Sequence, residues 1–217
     1  TMLSGAALID AAVLVIAANE GIKPQTREHL IALHAKKINK IIIVQNKIDL
    51  VTKEQAIESY KKIKEFVKGT IAENSPIIPV SAQQEINIEK IKDLIFSIES
   101  PKRDVSSKPE FIIARSFDIN KPGTKIQNLH GGVIAGVLKK GILNVGDEIE
   151  IKPGILEKQA NQMVYKEIKT KIVSIYRGNY PIKTATPGGS LAFETELDSI
   201  LTKTDTLSGC IASTPGN

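Results

Sequence analysis

One stretch of the sequence decides the fold: Ile41-Ile42-Ile43-Val44-Gln45, followed at once by Asn46-Lys47-Ile48-Asp49. The first five residues are rich in β-branched side chains, which predicts a strand. The next four are mostly polar, which predicts a loop. Because ligands of parallel α/β sheets bind on the loops at the carboxyl ends of the strands, this loop is the first place to look for a functional site.

Strands and helices alternate three times around this stretch. Strands are predicted at residues 11–18, 41–45 and 77–80, and the first is all apolar, which predicts a central parallel strand covered on both faces. The starts of the intervening amphipathic helices are marked by Pro24 in a first turn, by Thr52 in a capping box with Gln55, and by Asn87 as an N-cap. The alternation predicts an α/β domain built on a doubly wound parallel sheet.

The pattern changes after residue 100. Residues 100–109 are rich in Pro, Ser, Lys, Arg and Asp, which is typical of an interdomain linker. Short segments with a period of two follow, separated by Gly, Pro and Asn turns, at residues 111–117, 133–138, 147–151, 168–175 and 190–197. The sequence therefore predicts two domains, residues 1–106 and residues 107–217, and the second is a small all-β barrel or sandwich.

Composition excludes several classes of protein. With 41% hydrophobic and 24% charged residues, the chain is globular rather than disordered, collagen-like or a disulfide scaffold. No apolar run approaches the roughly 18 residues of a membrane span, so we expect no membrane partner and a cytoplasmic location. The single cysteine, Cys210, suits a reducing compartment. The net charge of +5 is spread over both halves and identifies no anionic partner.

The loop from Asn46 to Asp49 has the chemistry of guanine recognition. The Asp49 carboxylate can accept two parallel hydrogen bonds from the N1–H and N2–H2 edge of guanine, whereas adenine has no donor there. A carboxylate left unpaired against adenine would cost about 1 to 3 kcal/mol or more, which would discriminate the bases. Asn46 would fasten the loop and reach the base, and the methylene stem of Lys47 would cover one face of the ring. On these residues alone, an ordinary solvated turn is an equal alternative.

A second motif, Ser81-Ala82-Gln83, favours the guanine interpretation because it follows the next strand at the same edge of the sheet. The backbone N–H of Ala82 could donate to guanine O6, and Ser81 could orient Asp49. Each motif is weak alone, but two complementary loops after consecutive strands form a specific arrangement. We therefore predict a guanine-binding set made of Asn46, Lys47, Ile48, Asp49, Ser81, Ala82 and Gln83.

These two motifs resemble the guanine-specificity motifs of the GTPase superfamily. The string Pro24-Gln25-Thr26-Arg27-Glu28-His29-Leu30 resembles a helix start in translation-factor GTPases, and residues 132–136 and 140–148 resemble the second-domain barrel of elongation factor Tu. Residues 18–20, 76–83 and 115–123 resemble the gamma-subunit family of eukaryotic and archaeal translation initiation factor 2. The resemblance covers essentially the whole chain. It implies a P-loop-type GTPase domain followed by an all-β translation-factor barrel, domain II.

Large parts of that family's pattern are missing. A phosphate-binding loop needs Gly-x-x-x-x-Gly-Lys-Ser/Thr, and the chain contains no Gly-Lys pair. The first switch segment and the Asp-x-x-Gly motif with its following histidine are absent as well. The resemblance thus implies an internal segment, in which residues 1–106 are the C-terminal portion of the GTPase domain and residues 107–217 are domain II. We expect this segment to hold no catalytic residue and no metal ligand, and not to hydrolyse GTP.

The resemblance also implies what the parent protein does. It would be a protein-synthesising GTPase that carries methionyl initiator tRNA to the small ribosomal subunit, with GTP or GDP and Mg2+ as cofactors. Its partners would include an alpha subunit on the second domain, a beta subunit on the GTPase domain, and guanine-nucleotide exchange and GTPase-activating factors. Leu138 and Leu143 should mostly be barrel core. Matching positions in elongation-factor relatives wall a pocket for the acceptor end of aminoacyl-tRNA, so both are candidates for a tRNA acceptor-end pocket.

Two alternatives to the initiation-factor hypothesis stay open at this point. One is an elongation-type or selenocysteine-specific translation GTPase, which shares the string from Pro24 to Leu30. The other belongs to a different class and is a short non-enzymatic chain that serves as a partner-binding platform.

Overall fold

The computed structural model describes residues 8–159 and 162–216, which form two units that divide between Pro101 and Lys102. This division falls inside the predicted linker at residues 100–109, and the predicted domain boundary at residue 106 stays a prediction. Among the described residues, no helix is long and apolar enough to cross a membrane.

Unit 1 is an α/β unit with a parallel sheet of strand order β1-β2-β3. Its strands are β1 (Ala12–Ala17), β2 (Ile41–Asn46) and β3 (Ile77–Pro79), and its helices are α1 (Pro24–Ala35), α2 (Lys53–Val67) and α3 (Ile88–Phe96). The predicted alternation of strand and helix is therefore confirmed. It places the loops after β1, β2 and β3 at one edge of the sheet, because parallel strands end on the same side.

Strand β2 is the middle of this sheet and is covered on both faces. Ile43 belongs to a core with Leu30 of α1 and Ile63 of α2, whereas Ile42 and Val44 belong to a second core that Ile91, Leu94 and Ile98 also line. A parallel strand packed on both sides needs a nearly continuous apolar run, which is what residues 41–44 supply. The two cores hold β2 and its following loop in place.

Two details of unit 1 differ from the predictions. Strand β1 is not central within the described part of the chain, since it pairs only with β2, and its Val13 and Val15 side chains are 42% and 55% exposed. Asn87 takes the predicted N-cap position of α3 but makes no side-chain capping hydrogen bond: it lies in the left-handed region with φ 61°, and its side-chain amide donates to the Pro79 carbonyl at 2.8 Å. The predicted capping box of α2 is present, with hydrogen bonds in both directions between Thr52 and Gln55.

Unit 2 is a closed six-stranded antiparallel barrel, which decides between the predicted barrel and sandwich. The barrel strands follow the order β11-β5-β4-β12-β7-β8, and β8 pairs back to β11. Its strands are β4 (Glu110–Phe117), β5 (Val133–Lys140), β6 (Leu143–Asn144), β7 (Glu148–Gln159), β8 (Gln162–Arg177), β9 (Tyr180–Ile182), β10 (Thr184–Ala185), β11 (Leu191–Thr195) and β12 (Ile211–Ser213). Strand β9 pairs with β8 outside the ring, and β6 pairs with β10. Closing the ring leaves the barrel strands without an open edge.

The barrel core has stacked aromatic rings and a close backbone approach. The rings of Phe111 and Phe193 lie 4.3 Å apart between centroids, and both side chains are fully buried. A Cβ added to Gly136 of β5 would lie 1.9 Å from the Ile112 carbonyl oxygen of β4. A methyl group at Gly136 therefore has no room unless the β4–β5 pair moves apart.

We predict that Gly136→Ala lowers the free energy of unfolding of the chain by about 3 kcal/mol, because the new methyl group would overpack the contact between β4 and β5. Denaturant unfolding followed by circular dichroism measures the loss. Ala135→Ser, which adds one atom at the neighbouring and half-buried position of β5, is the control and should cost much less. Equal stability of the two variants would contradict the close approach.

Candidate functional site

The loops that follow the three strands of unit 1 come together because the strands are parallel and in register. Ala17 at the end of β1 lies beside Asn46 at the end of β2, and Gln45 lies beside Pro79 of β3. The backbone N–H of Ala18 donates to the Asn46 carbonyl at 2.7 Å, which extends this alignment past the end of β1. The predicted residues from Asn46 to Asp49 and from Ser81 to Gln83 are therefore neighbours.

The loop after β2 turns sharply at Lys47. Lys47 has φ 61° and ψ 37°, in the left-handed region, and Ile48–Leu50 form a single 3-10 turn. The backbone N–H of Ile48 donates to the Val80 carbonyl at 3.2 Å, which fixes the turn to the loop after β3. The following Asp49 is exposed, and its carboxylate has no hydrogen bond to any described residue. It is free to accept hydrogen bonds from a ligand.

Asn46 joins the two predicted motifs directly. Its side-chain Oδ1 accepts a hydrogen bond from the backbone N–H of Ala82 at 3.1 Å. This contact differs from the expectation that the Ala82 N–H points freely at a base oxygen, because Asn46 already uses that donor. The backbone N–H of Gln83 is the next donor in the turn, and among the described residues it has no partner. It can meet a ligand oxygen without breaking the contact between Asn46 and Ala82.

Ser81 has a structural part in the second loop. Its side chain is fully buried, and its Oγ accepts from the backbone N–H of Gln84 at 3.2 Å. Its backbone pairs with that of Ile86 in both directions. The Ser81 hydroxyl thus stabilises the turn that presents Ala82 and Gln83. The expectation that Ser81 orients Asp49 stays a prediction.

Two further residues contribute that the sequence analysis did not single out. Gln45 is 1% exposed, and its Nε2 donates to the Ala56 carbonyl at 2.8 Å, which ties the end of β2 to the first turn of α2. A glutamine at the end of an otherwise apolar strand was the signal for this contact. Glu20, in the loop after β1, forms an ion pair with Lys47 at 2.9 Å. This acidic side chain directly after a strand could have been noticed for the same reason as Asp49.

The pKa of the Glu20 carboxyl is lowered by its hydrogen bond to Lys47, then by the charge of Lys47 and the charge of Lys23. The carboxyl is therefore ionised over a wider range of pH than an isolated glutamate. Lys47 thus has a fixed anionic partner on the β1 side of the site.

Leu138 and Leu143 lie away from any surface. Both side chains are fully buried and belong to the core of the barrel together with Phe111 and Phe193. Their geometry supports the alternative of barrel core rather than a wall of a tRNA acceptor-end pocket, because neither side chain reaches solvent.

Within residues 8–159 and 162–216, no group of three or more His, Cys, Asp or Glu side chains could hold a metal ion.

Comparison with known proteins agrees with this geometry. Residues 1–101 match the elongation factor Tu GTP binding domain family. The whole chain is 56% identical to translation initiation factor 2 subunit gamma of Methanocaldococcus jannaschii and 51% identical to that of Archaeoglobus fulgidus. Over its full length, the chain is similar to translation initiation factor 2 gamma subunits. It spans about half the length of these relatives, 53% and 51% respectively.

Solved structures support the same fold at lower identity. Translation elongation factor SelB from Methanococcus maripaludis, in complex with the GTP analogue GppNHp, superposes with a TM-score of 0.79 at 26% identity. The match covers 100% of this chain and 43% of SelB. A bacterial selenocysteine-specific elongation factor gives a TM-score of 0.74 at 24% identity, which shows the fold alone. The initiation factor 2 gamma subunits are therefore about twice as similar in sequence as the SelB protein.

We predict that Asn46→Ala loosens the loop after β3. Removing Oδ1 leaves the Ala82 N–H without its partner, and the loss of one hydrogen bond worth about 1 kcal/mol corresponds to a roughly fivefold rise in the rate of amide hydrogen exchange at Ala82. Two-dimensional NMR of the labelled chain measures this rate. Asn39→Ala, at an exposed asparagine before β2, is the control and should leave the Ala82 amide unchanged. An unchanged rate in Asn46→Ala would contradict the contact.

Proposed function

We propose that the parent protein is the GTP-binding subunit of an initiation factor that carries methionyl initiator tRNA to the small ribosomal subunit. The observation that carries this proposal is the joined pair of loops at Asn46 and Ala82, found in a chain that is 51–56% identical to archaeal initiation factor 2 gamma subunits. The site lies at the strand ends, where parallel sheets bind ligands. The proposed place of action is the cytoplasm, where ribosomal subunits are loaded.

The residues of this chain fit the base of a guanine nucleotide. Asp49 offers an exposed carboxylate that has no partner among the described residues, which matches the two donors on the N1 and N2 edge of guanine. The methylene stem of Lys47 can cover one face of the ring, and the free backbone N–H of Gln83 can donate to O6. Asn46 and Ser81 hold the two loops in the conformation that presents these groups.

The phosphate half of the nucleotide would be bound by other parts of the parent protein. Mg2+, when bound with GTP, supplies charge neutralisation for phosphoryl transfer, and a phosphate loop positions the γ-phosphate. The chain contains no Gly-Lys pair and so no phosphate-loop motif. We propose that residues of this chain select the base and that hydrolysis depends on residues outside it. The alpha and beta subunits and the exchange and GTPase-activating factors are proposed partners on the same family grounds.

An elongation-type function is the second candidate, and the SelB superposition is consistent with it. Competition between initiator methionyl-tRNA and elongator aminoacyl-tRNAs for the full-length, GTP-bound protein separates the two. Preference for the initiator supports the initiation-factor function. Equal binding of all aminoacyl-tRNAs, or preference for selenocysteinyl-tRNA, would contradict that function. The GDP-bound protein is the control, because a translation factor should bind tRNA in one nucleotide state.

The chain alone should not hydrolyse GTP, and its binding of GTP or GDP should be weak or undetectable. Contacts to the triphosphate and Mg2+ supply charge-assisted hydrogen bonds that are about twice as strong as neutral ones, and the chain lacks the loop that makes them. Isothermal calorimetry with and without Mg2+, alongside a phosphate-release assay, checks both statements. Tight and Mg2+-dependent binding of GTP by this chain would contradict the division of the site.

In the full-length protein, Asp49→Asn should change the preferred base. The variant loses an ionic acceptor for the guanine N1 and N2 hydrogens, which costs about 1 to 3 kcal/mol and so weakens GDP binding roughly 5- to 150-fold. Its side-chain amide can instead donate to the C2 oxygen of xanthine, so XDP should bind better to the variant than to the wild type. Displacement of a fluorescent nucleotide measures both affinities. Asp93→Asn on the exposed face of α3 is the matched control, and a parallel loss of GDP affinity there would contradict the role of Asp49.

A further inference from the structure

An ion pair connects two loops of the site across 27 residues of sequence. Glu20 Oε1 accepts from Lys47 Nζ at 2.9 Å, and the two side chains are equally exposed, at 46% each. Exposed ion pairs contribute little to stability, because solvent screens the charges and two long side chains lose freedom. The contact is therefore expected to matter more for where the Lys47 side chain lies than for whether unit 1 folds.

The backbone on both sides of this ion pair is already fixed. At the lysine end, the Asn46 carbonyl accepts from Ala18, and the Ile48 N–H donates to Val80 at 3.2 Å. At the glutamate end, the backbone N–H groups of Glu20 and Gly21 both donate to the Ala17 carbonyl, at 3.2 and 2.8 Å. Fixed backbones on both loops leave the two side chains as the parts of this region that can still move.

The ion pair restricts that remaining freedom of Lys47. Its Cα is held by the left-handed turn, and its ammonium is held by Glu20, so the four methylene groups between them must span a defined path. A lysine stem held at both ends presents a continuous apolar strip with its charge directed away. This apolar strip belongs to Lys47, which lies two residues before Asp49 on the loop that would bind the edge of the base.

We propose that Glu20 is a positioning residue for guanine binding: it holds the Lys47 ammonium so that the methylene stem is ready to pack on the face of the base. This inference rests on the proposed guanine site and adds a residue to it. Glu20 itself touches neither the base nor its edge. It acts through Lys47, by removing the need to order that side chain when a nucleotide binds.

The test is a double-mutant cycle in the full-length protein, with the affinity for a fluorescent GDP analogue as the readout. Glu20→Gln keeps the size of the side chain and removes its charge, and it should weaken binding about 3- to 10-fold. Glu20→Asp should restore part of the affinity, because the carboxylate is retained on a shorter stem. Lys47→Met should weaken binding as well, and adding Glu20→Gln to Lys47→Met should cause no further loss.

A matched control is present in the same unit. Glu58 and Lys62 of α2 form an exposed ion pair at 2.6 Å with side chains 65% and 67% exposed. Glu58→Gln removes the same charge from unit 1 at a residue whose ion pair lies within α2, and it should leave GDP affinity unchanged. The melting temperatures of Glu20→Gln and Glu58→Gln should agree within a degree or two, so a general loss of stability would be visible as a difference between them.

Each outcome of the cycle has one meaning. If Glu20→Gln binds GDP as well as Glu58→Gln, or more tightly, Glu20 does not position Lys47 for the base. If Glu20→Gln still weakens binding in the Lys47→Met background, Glu20 acts by another route, and the inference is overturned. Failure of the proposed function has a different signature, because the wild-type protein would then show no preference for GDP over ADP.

Discussion

The rest of unit 1 depends on the burial of strand β2 on both of its faces. Ile43 packs toward α1 and α2 while Ile42 and Val44 pack toward α3, so helices have to lie on both sides of the sheet. A chain can cover a parallel strand in this way only by crossing over between strands with helices. The crossovers return every strand in the same direction, and as a result all three strand ends and their loops collect at one edge. The position of the site is therefore a consequence of core packing.

Polar contacts at that edge then decide the shape of the loops. The apolar core stops at Val44, and from Gln45 onward each polar group that leaves solvent has to find a partner. Gln45 reaches Ala56 in α2, Asn46 reaches Ala82, and the hydroxyl of Ser81 reaches Gln84. These contacts satisfy buried or half-buried groups, and in doing so they connect the end of β2 to α2 and to the loop after β3. Asp49 differs from these groups, since it is exposed and has no partner among the described residues, so its carboxylate is available to a ligand at this edge.

Sequence reasoning could predict the parts of this arrangement that depend on local pattern. The apolar run before Asn46, the capping box at Thr52 and the repetition of polar loops after strands are all local, and the structure has each of them. Sequence reasoning could not predict contacts between residues far apart in the chain, because the fold determines which of several possible partners lies within reach. The sequence predicts that the Ala82 N–H donates to a ligand, whereas in the structure it donates to Asn46 Oδ1. Asn87 takes the predicted N-cap position, but its side-chain amide donates to the Pro79 carbonyl and its side chain does not cap the helix.

The same limit explains the residues that were missed or misplaced. Glu20 and Lys47 are 27 residues apart, and only the register of β1 against β2 brings them together. The strand at residues 12–17 has the apolar composition of a central strand, but composition does not show how many neighbours a strand has, and β1 has one within the described chain. The expectation that Leu138 and Leu143 are mostly barrel core, by contrast, agrees with their full burial, because Leu138 alternates along β5 with half-buried residues and Leu143 belongs to the same core.

The division between selecting a base and holding a nucleotide follows from the size of the interactions. Selectivity is a difference between two free energies, so a single carboxylate that is satisfied by guanine and left unpaired by adenine can supply it. Affinity needs a sum of favourable contacts large enough to exceed the cost of ordering the ligand, and for a nucleotide most of the charge lies in its phosphates. The edge formed by Asp49, Lys47 and Gln83 offers one exposed carboxylate, one aliphatic stem and one backbone donor. These groups can discriminate between bases. Tight binding of a nucleotide needs additional groups that neutralise the charge of its phosphates.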